Sequence, residues 1–151
     1  MNKFVNPLYL SIIIVTILTS CFGAKEVAKS SEKTPPLSDI SKIEKVDSFT
    51  AYSPSRNFTI ISSQAIENIL EIEVSYSGGC AEHSFNLYTT GAYMKSLPPK
   101  LALLLLHDDG GDACRELKTE KLKFQLDNVQ YEGLQTVQLI INNEHTVDYT
   151  Y

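Results

Sequence analysis

The sequence predicts an all-β fold: a single antiparallel β-sandwich of about seven strands, immunoglobulin-like in architecture, over residues 43–151. Three observations predict it. Apolar, often β-branched residues alternate with polar ones at period two. A six-residue apolar run is fenced by Pro98-Pro99 and by Asp108-Asp109-Gly110-Gly111. Turn-forming residues separate these stretches at regular, short intervals, the pattern of a sandwich. The chain has 151 residues, enough for one modest domain.

In order along the chain, a first strand is expected near Phe58 to Ile61. From Leu70 the alternation is clean: Leu70, Ile72, Val74 and Tyr76 take one face, Glu71, Glu73 and Ser75 the other. His83, Phe85 and Leu87 share a face in the next run, with Asn86 and Tyr88 opposite. Leu101 to Leu106 is apolar at every position. Leu and Ala favour helix, but the run is too short and too sharply punctuated, so it predicts a central strand buried on both faces. Glu116 to Glu120 is expected to hold a helical turn. Leu122, Phe124 and Leu126 then alternate with Lys121, Lys123 and Gln125 as another half-buried strand. A terminal hairpin closes the chain, with Val137, Leu139 and Ile141 on one arm, Asn142-Asn143 as the turn, and Val147, Tyr149 and Tyr151 on the other. No internal repeat and no second domain is visible.

Residues 1–20 read as a processing signal rather than as part of the fold. Lys3 supplies the positive start, and Leu8 to Leu18 is mostly apolar, shorter than the roughly 20 residues a spanning helix needs. Leu18-Thr19-Ser20-Cys21 follows, and this order of apolar run, small residues and cysteine resembles the lipobox of bacterial lipoproteins. The resemblance implies cleavage before Cys21, lipidation of its sulfur, including palmitate, and a covalent membrane anchor. Each buried methylene of such a chain contributes about 0.8 kcal/mol. Phe22, rather than Asp, after the cysteine implies sorting to the outer membrane under the rule of that family. Residues 21–42, with Ser30-Ser31-Glu32-Lys33-Thr34-Pro35-Pro36, read as the lipidated cysteine and a polar, proline-bearing tether.

Cleavage would leave 131 of the 151 residues and remove Lys3, so that 12 Lys and Arg face 18 Asp and Glu, a net charge of −6. That balance argues against a nucleic-acid partner, which needs basic residues to neutralise phosphates. It equally argues against attachment to anionic lipid through a basic patch.

Chemistry-bearing residues gather at the two ends of the stretch from Tyr76 to Cys114. Cys80 and Cys114 are the cysteines left once Cys21 is acylated, and export permits a disulfide between them. Closing a loop of about 35 residues would stabilise the fold by roughly 3–4 kcal/mol through loop entropy. The alternative is a metal centre: Cys80, His83, His107 and Cys114 offer the nitrogen and sulfur ligands that tetrahedral zinc or cuprous copper accepts. Both remain open here. For His83 and His107 the plainer expectation is a hydrogen-bonded histidine beneath the sheet, and His145 receives no role. Asp108, Asp109 and Asp112 carry the oxygen ligands calcium prefers, without a full calcium-loop pattern. A cysteine nucleophile with a histidine base lacks an orienting third group. No serine-hydrolase elbow and no phosphate loop is present.

The order Leu70-x-Ile72-x-x-x-Tyr76, Gly78-Gly79-Cys80-x-x-His83, His107, Asp112-x-Cys114 and Leu122-x-Phe124-x-Leu126 resembles small uncharacterised bacterial envelope lipoproteins. It is also faintly similar to the C-terminal β-sandwich of NigD-like lipoproteins, over residues of about 58–141. The chain departs from that layout in lacking room for an N-terminal barrel-like subdomain, and the cysteine pair is not a hallmark of it. Neither resemblance supplies catalytic residues, and fold alone does not assign function. The expectation is therefore a lipid-anchored, non-enzymatic binding or structural module without cofactor. It would meet an envelope protein or small ligand through an exposed sheet face or the loops near Cys80 and Cys114.

Overall fold

The structure, a computed structural model, describes residues 40–52 and 57–151. The signal segment, Cys21 and the tether up to residue 39 lie outside the described residues.

Period-two patterning becomes two stacked sheets. Strands β1 (Ile40–Lys42), β3 (Phe58–Ile66), β4 (Ile69–Gly78) and β7 (Glu116–Gln125) form a four-stranded sheet in the order β1-β7-β4-β3. Strands β2 (Glu44–Lys45), β5 (Ser84–Met94), β6 (Lys100–Asp108), β8 (Thr136–Ile141) and β9 (His145–Thr150) form a five-stranded sheet in the order β2-β5-β6-β8-β9. Among the described residues a 3-10 turn, Asp127–Val129, links β7 towards β8. Inward residues of both sheets share one core: Leu70, Ile72, Val74, Leu122 and Phe124 from the first, Leu87, Leu101, Leu103, Leu105, Val137, Leu139 and Tyr149 from the second. Alternation places these side chains inward because every second residue of a strand points to the same face.

The sandwich is as expected, but its sheets are mixed. Alongside the antiparallel pairs, β1 runs parallel to β7, β2 to β5 and β6 to β8. The strands number nine among the described residues rather than about seven, because β1 and β2 are two short pieces of one segment. Ile43 lies between them and is buried, so this segment leaves one sheet edge, drops an apolar anchor into the core and joins the other sheet. Its first three residues fall within the stretch expected to be tether, so the sheet begins ahead of the expected boundary at 43.

Two other expectations change. Glu116 to Glu120 is strand, not a helical turn, because all ten residues of β7 find partners in β4, from Glu116 opposite Gly78 to Gln125 opposite Ile69. A complete ladder outweighs weak local helix preference. The strand β6 is covered fully on one face only: Leu101, Leu103 and Leu105 are buried with His107, whereas on the other face Leu104 is buried but Ala102 and Leu106 are half-buried. The terminal hairpin forms as expected. Asn142 and Asn143 both adopt positive φ, 50° and 60°, and Glu144 N–H donates to the Ile141 carbonyl at 3.0 Å. Two consecutive left-handed residues make the tight turn whose twist suits a hairpin.

Candidate functional site at the disulfide end

The end of the sandwich where β4 stops, β5 starts, β6 stops and β7 starts gathers the residues singled out above. Cys80 and Cys114 are joined: the sulfurs are 1.99 Å apart, the Cα atoms 5.9 Å apart and the sequence separation is 34. The bridge ties the loop after β4 to the loop before β7, whose adjoining strands already pair at Gly78 and Glu116.

Asp112 is the hub of this corner. One carboxylate oxygen, Oδ2, accepts backbone N–H groups from Gly79 at 2.9 Å, Cys80 at 2.8 Å and Ala81 at 2.9 Å. The other, Oδ1, accepts the N–H of Cys114 at 2.8 Å. The carboxylate thus binds the backbone of both bridged cysteines while its side chain is fully covered. The amides of Cys114, then of Cys80 and Ala81, together with the His83 ring, hold its carboxyl well below the usual carboxylate range. Gly79 adopts φ 122°, and a Cβ there would meet Glu116 Oε2 at 2.7 Å. At Gly78 a Cβ would overlap the His83 ring, so a glycine is required for the imidazole to pass the backbone.

A hydrogen-bonded relay runs inward from Asp112. His83 Nε2 lies 3.1 Å from Asp112 Oδ2, and His83 Nδ1 lies 2.8 Å from His107 Nε2. The two imidazoles meet edge to edge across this contact, with centroids 5.0 Å apart and planes 24° apart. Tyr76 covers both, at 4.6 Å from His83 and 5.1 Å from His107. Phe85 stacks on His107 at 4.4 Å, and Phe58 meets it edge-on at 5.8 Å. His107 Nδ1 is buried and has no hydrogen-bond partner among the described residues. Burial, and then the neighbouring His83, hold His107 below the usual histidine range against the opposing pull of Asp109, Asp108 and Glu120. The Tyr76 hydroxyl donates to Glu120 at 3.0 Å, and burial, then this carboxylate, raise its phenol.

The four-ligand metal centre does not assemble in the bridged protein. The Cys80 and Cys114 sulfurs are bonded to each other, and the His83 and His107 nitrogens face one another rather than a common point. Cys80, Asp112 and Cys114 do bring candidate ligand atoms within 4.8 Å of each other, but the sulfurs are spent in the bridge. Calcium fares no better. Asp108 accepts Gly110 N–H at 3.0 Å, and Asp109 accepts Gly111 N–H at 2.9 Å and the Asn57 amide at 3.0 Å, so these acids build the turn.

The expected strand-end histidines are hydrogen-bonded as anticipated, but to each other, across the β5–β6 pair. His145 begins β9 and takes no part in this relay. The role of Asp112 was not foreseen. Half of it had a local signal: an Asp accepting the N–H two residues on is a common turn device, here Asp112 to Cys114. The other half depends on a loop more than thirty residues away.

A groove of about 430 Å³ opens from this corner beside β3 and β4, lined by Asn57, Tyr76, Asp109, Asp112, Cys114 and Leu117 among others. Leu117 is 75 % exposed at its rim.

No protein-family profile and no curated protein matches this chain. Solved structures do. A NigD-like immunity protein from Bacteroides caccae shares 14 % identity with a TM-score of 0.52, over 74 % of this chain and 58 % of its own. A protein of unknown function from Bacteroides vulgatus shares 16 % with a TM-score of 0.54, over 74 % and 56 %. A candidate lipoprotein from Bacteroides fragilis shares 10 % with a TM-score of 0.53, over 75 % and 71 %. The chain thus spans less than two thirds of the length of the first two. At these identities the likeness is one of fold, and the faint NigD-like resemblance agrees with it at that level: the chain adopts a small β-sandwich fold shared with these bacterial proteins.

Proposed function

We propose that the protein is a lipid-anchored lipoprotein of the cell envelope, held at the outer membrane through Cys21, whose sandwich is a non-enzymatic binding or structural module. The observation that carries this reading is the Cys80–Cys114 bridge. A disulfide in a small domain fits an exported, oxidising compartment. The lipobox-like stretch ending at Cys21 supplies the route there, and the fold resemblance to a candidate lipoprotein is in keeping with it. Among the described residues no helix is long and apolar enough to cross a membrane.

The non-enzymatic part rests on how the corner spends its reactive groups. Both thiols are in the bridge, Asp112 spends its oxygens on backbone amides and on His83, and His83 spends its other nitrogen on His107. What the corner offers a partner is a rigid rim: Leu117, Asn57 and Asp109 around the groove beside Tyr76. A rim of this kind, on loops fixed by a scaffold, is where binding residues generally sit.

Growth with an alkyne-tagged fatty acid tests the anchor. The wild-type protein should carry the tag and fractionate with outer membranes, and Cys21→Ser should lose both. Retention of the tag in Cys21→Ser, or recovery of the wild type as a soluble, untagged chain, would contradict the reading. Leu117→Asp should leave the fold intact while weakening any partner captured by crosslinking from a photoactivatable residue at Asn57.

A further inference from the structure

The relay from Asp112 through His83 to His107 has a property that none of its groups has alone. Asp112 Oδ2 can only accept, so His83 Nε2 carries a proton. With His83 neutral, its Nδ1 is a bare acceptor, so the 2.8 Å contact requires a proton on His107 Nε2 and leaves His107 Nδ1 without one. All the other polar positions along the relay are occupied.

Adding one proton can give two arrangements. It can sit on His107 directly, or His83 can hold both of its protons and donate Nδ1–H to His107 Nε2. Both arrangements put an N–H on His107 Nδ1, the buried atom that has no partner among the described residues. Leaving a buried donor unpaired is costly, and the added charge makes it more so. A second proton is worse: Nδ1–H of His83 would then face Nε2–H of His107 at hydrogen-bond distance, and the contact must break.

We infer that the His83–His107 pair is an acid-operated latch. Protons added in the histidine range separate the two rings and release the start of β5 from the end of β6, uncovering Tyr76, Phe85 and Phe58. The Cys80–Cys114 bridge and the Asp112 carboxylate, both outside the broken contact, keep the two loops together and limit the opening. Phe58 comes from β3, Tyr76 from β4 and Phe85 from β5, and none of them supplies a charge at this range. Asp108 and Asp109 from the end of β6, and Glu120 from β7, favour a charged His107, whereas burial and His83 oppose it. Lys118 of β7 is paired with Glu116 at 3.0 Å, on exposed side chains.

The test uses the mature-length chain with Cys21→Ser and the bridge intact, between about pH 8 and about pH 5, spanning the histidine range. Ring-nitrogen signals of His83 and His107 should change together, as a coupled pair must. Amide exchange at Ser84 to Leu87, corrected for intrinsic pH dependence and compared with Val137 to Ile141, should rise by about tenfold or more, a local opening. A hydrophobic dye should bind reversibly over the same range. His107→Phe keeps an aromatic ring against Phe85 but has no proton to gain at that position, and should lose the exchange and dye responses. Independent titration of the two rings with unchanged exchange would overturn the inference, as would an equal response in His107→Phe. Should that variant fail to fold, exchange in the wild type decides alone.

Discussion

The two ends of the sandwich are held by different chemistry. At one end, a disulfide, a carboxylate and a histidine pair fix the loops around Cys80 and Cys114. At the other, neutral groups do the same work. The Tyr149 hydroxyl, from a fully buried ring, donates to Asn68 Oδ1 at 2.8 Å and accepts from the Gln130 amide at 3.3 Å. Tyr151 Oη donates to the Tyr131 carbonyl at 2.9 Å and accepts its N–H at 2.6 Å. Leu126 and Val129 close the core beneath, both fully buried. The first end should therefore respond to reductant and acid, and the second to neither below the phenol range. One fold thus carries a chemically addressable end and an inert one.

That contrast can be broken in graded steps. The largest effect is expected at the inert end, where Tyr149→Ala empties a fully buried aromatic site and should cost about 3–5 kcal/mol in denaturant unfolding. Tyr149→Phe keeps the ring but leaves Asn68 and Gln130 short of a partner, and should cost about 1–3 kcal/mol at every pH tested. At the addressable end, Cys80→Ser with Cys114→Ser should cost roughly 3–4 kcal/mol, the loop entropy of the bridge. Because Asp112 grips the amides of both cysteines, the corner should keep its shape without the bridge, and exchange at Cys80 and Ala81 should stay protected. Asp112→Asn removes that grip and should expose those amides to exchange even with the disulfide present. A smaller change is expected for Lys123→Ala, which frees Glu71 from a 3.0 Å ion pair on the outer sheet face and should cost at most about 1 kcal/mol.

Acid sharpens the same comparison. His107 sits below the ordinary histidine value in the folded chain, so the unfolded chain takes up its proton first. Stability from this group is whole above the unfolded value of about 6.5 and declines as pH falls from there towards the depressed folded value. Asp112 is depressed as well, so its contribution is present above the unfolded carboxylate value of about 3.9 and is lost only in strong acid. Urea unfolding against pH should therefore show two separate declines. His107→Phe should erase the upper one and leave the lower.

Much of the fold was legible because burial writes itself at period two. Leu70, Ile72 and Val74, or Leu122 and Phe124, could hardly face anywhere but a core. What could not be read was pairing. Nothing local in Lys100 to Leu103 says that it runs parallel to Gln138–Ile141, since the partner is set by how both sheets close. Ile40 to Lys45 was invisible as strand because its two pieces are three and two residues long, too short to show a period. Glu116 to Glu120 misled for the opposite reason: its charged, unpatterned residues sit on a strand whose inner face only becomes apolar at Leu122. In the candidate site, the cysteine pairing and the proximity of His83 and His107 were within reach of the sequence. The hub role of Asp112 was not, because most of its partners are backbone amides, which every residue but proline possesses.

The measurement that tests the account most directly is the intact mass of mature protein isolated from the envelope, native and denatured, with and without thiol alkylation. The account predicts a chain beginning at an acylated Cys21, lighter by the two thiol hydrogens of Cys80 and Cys114, unalkylated until reduced and carrying no metal. Two thiols alkylated without reduction, with a metal-sized adduct in the native spectrum, would contradict it and make those cysteines ligands rather than a bridge.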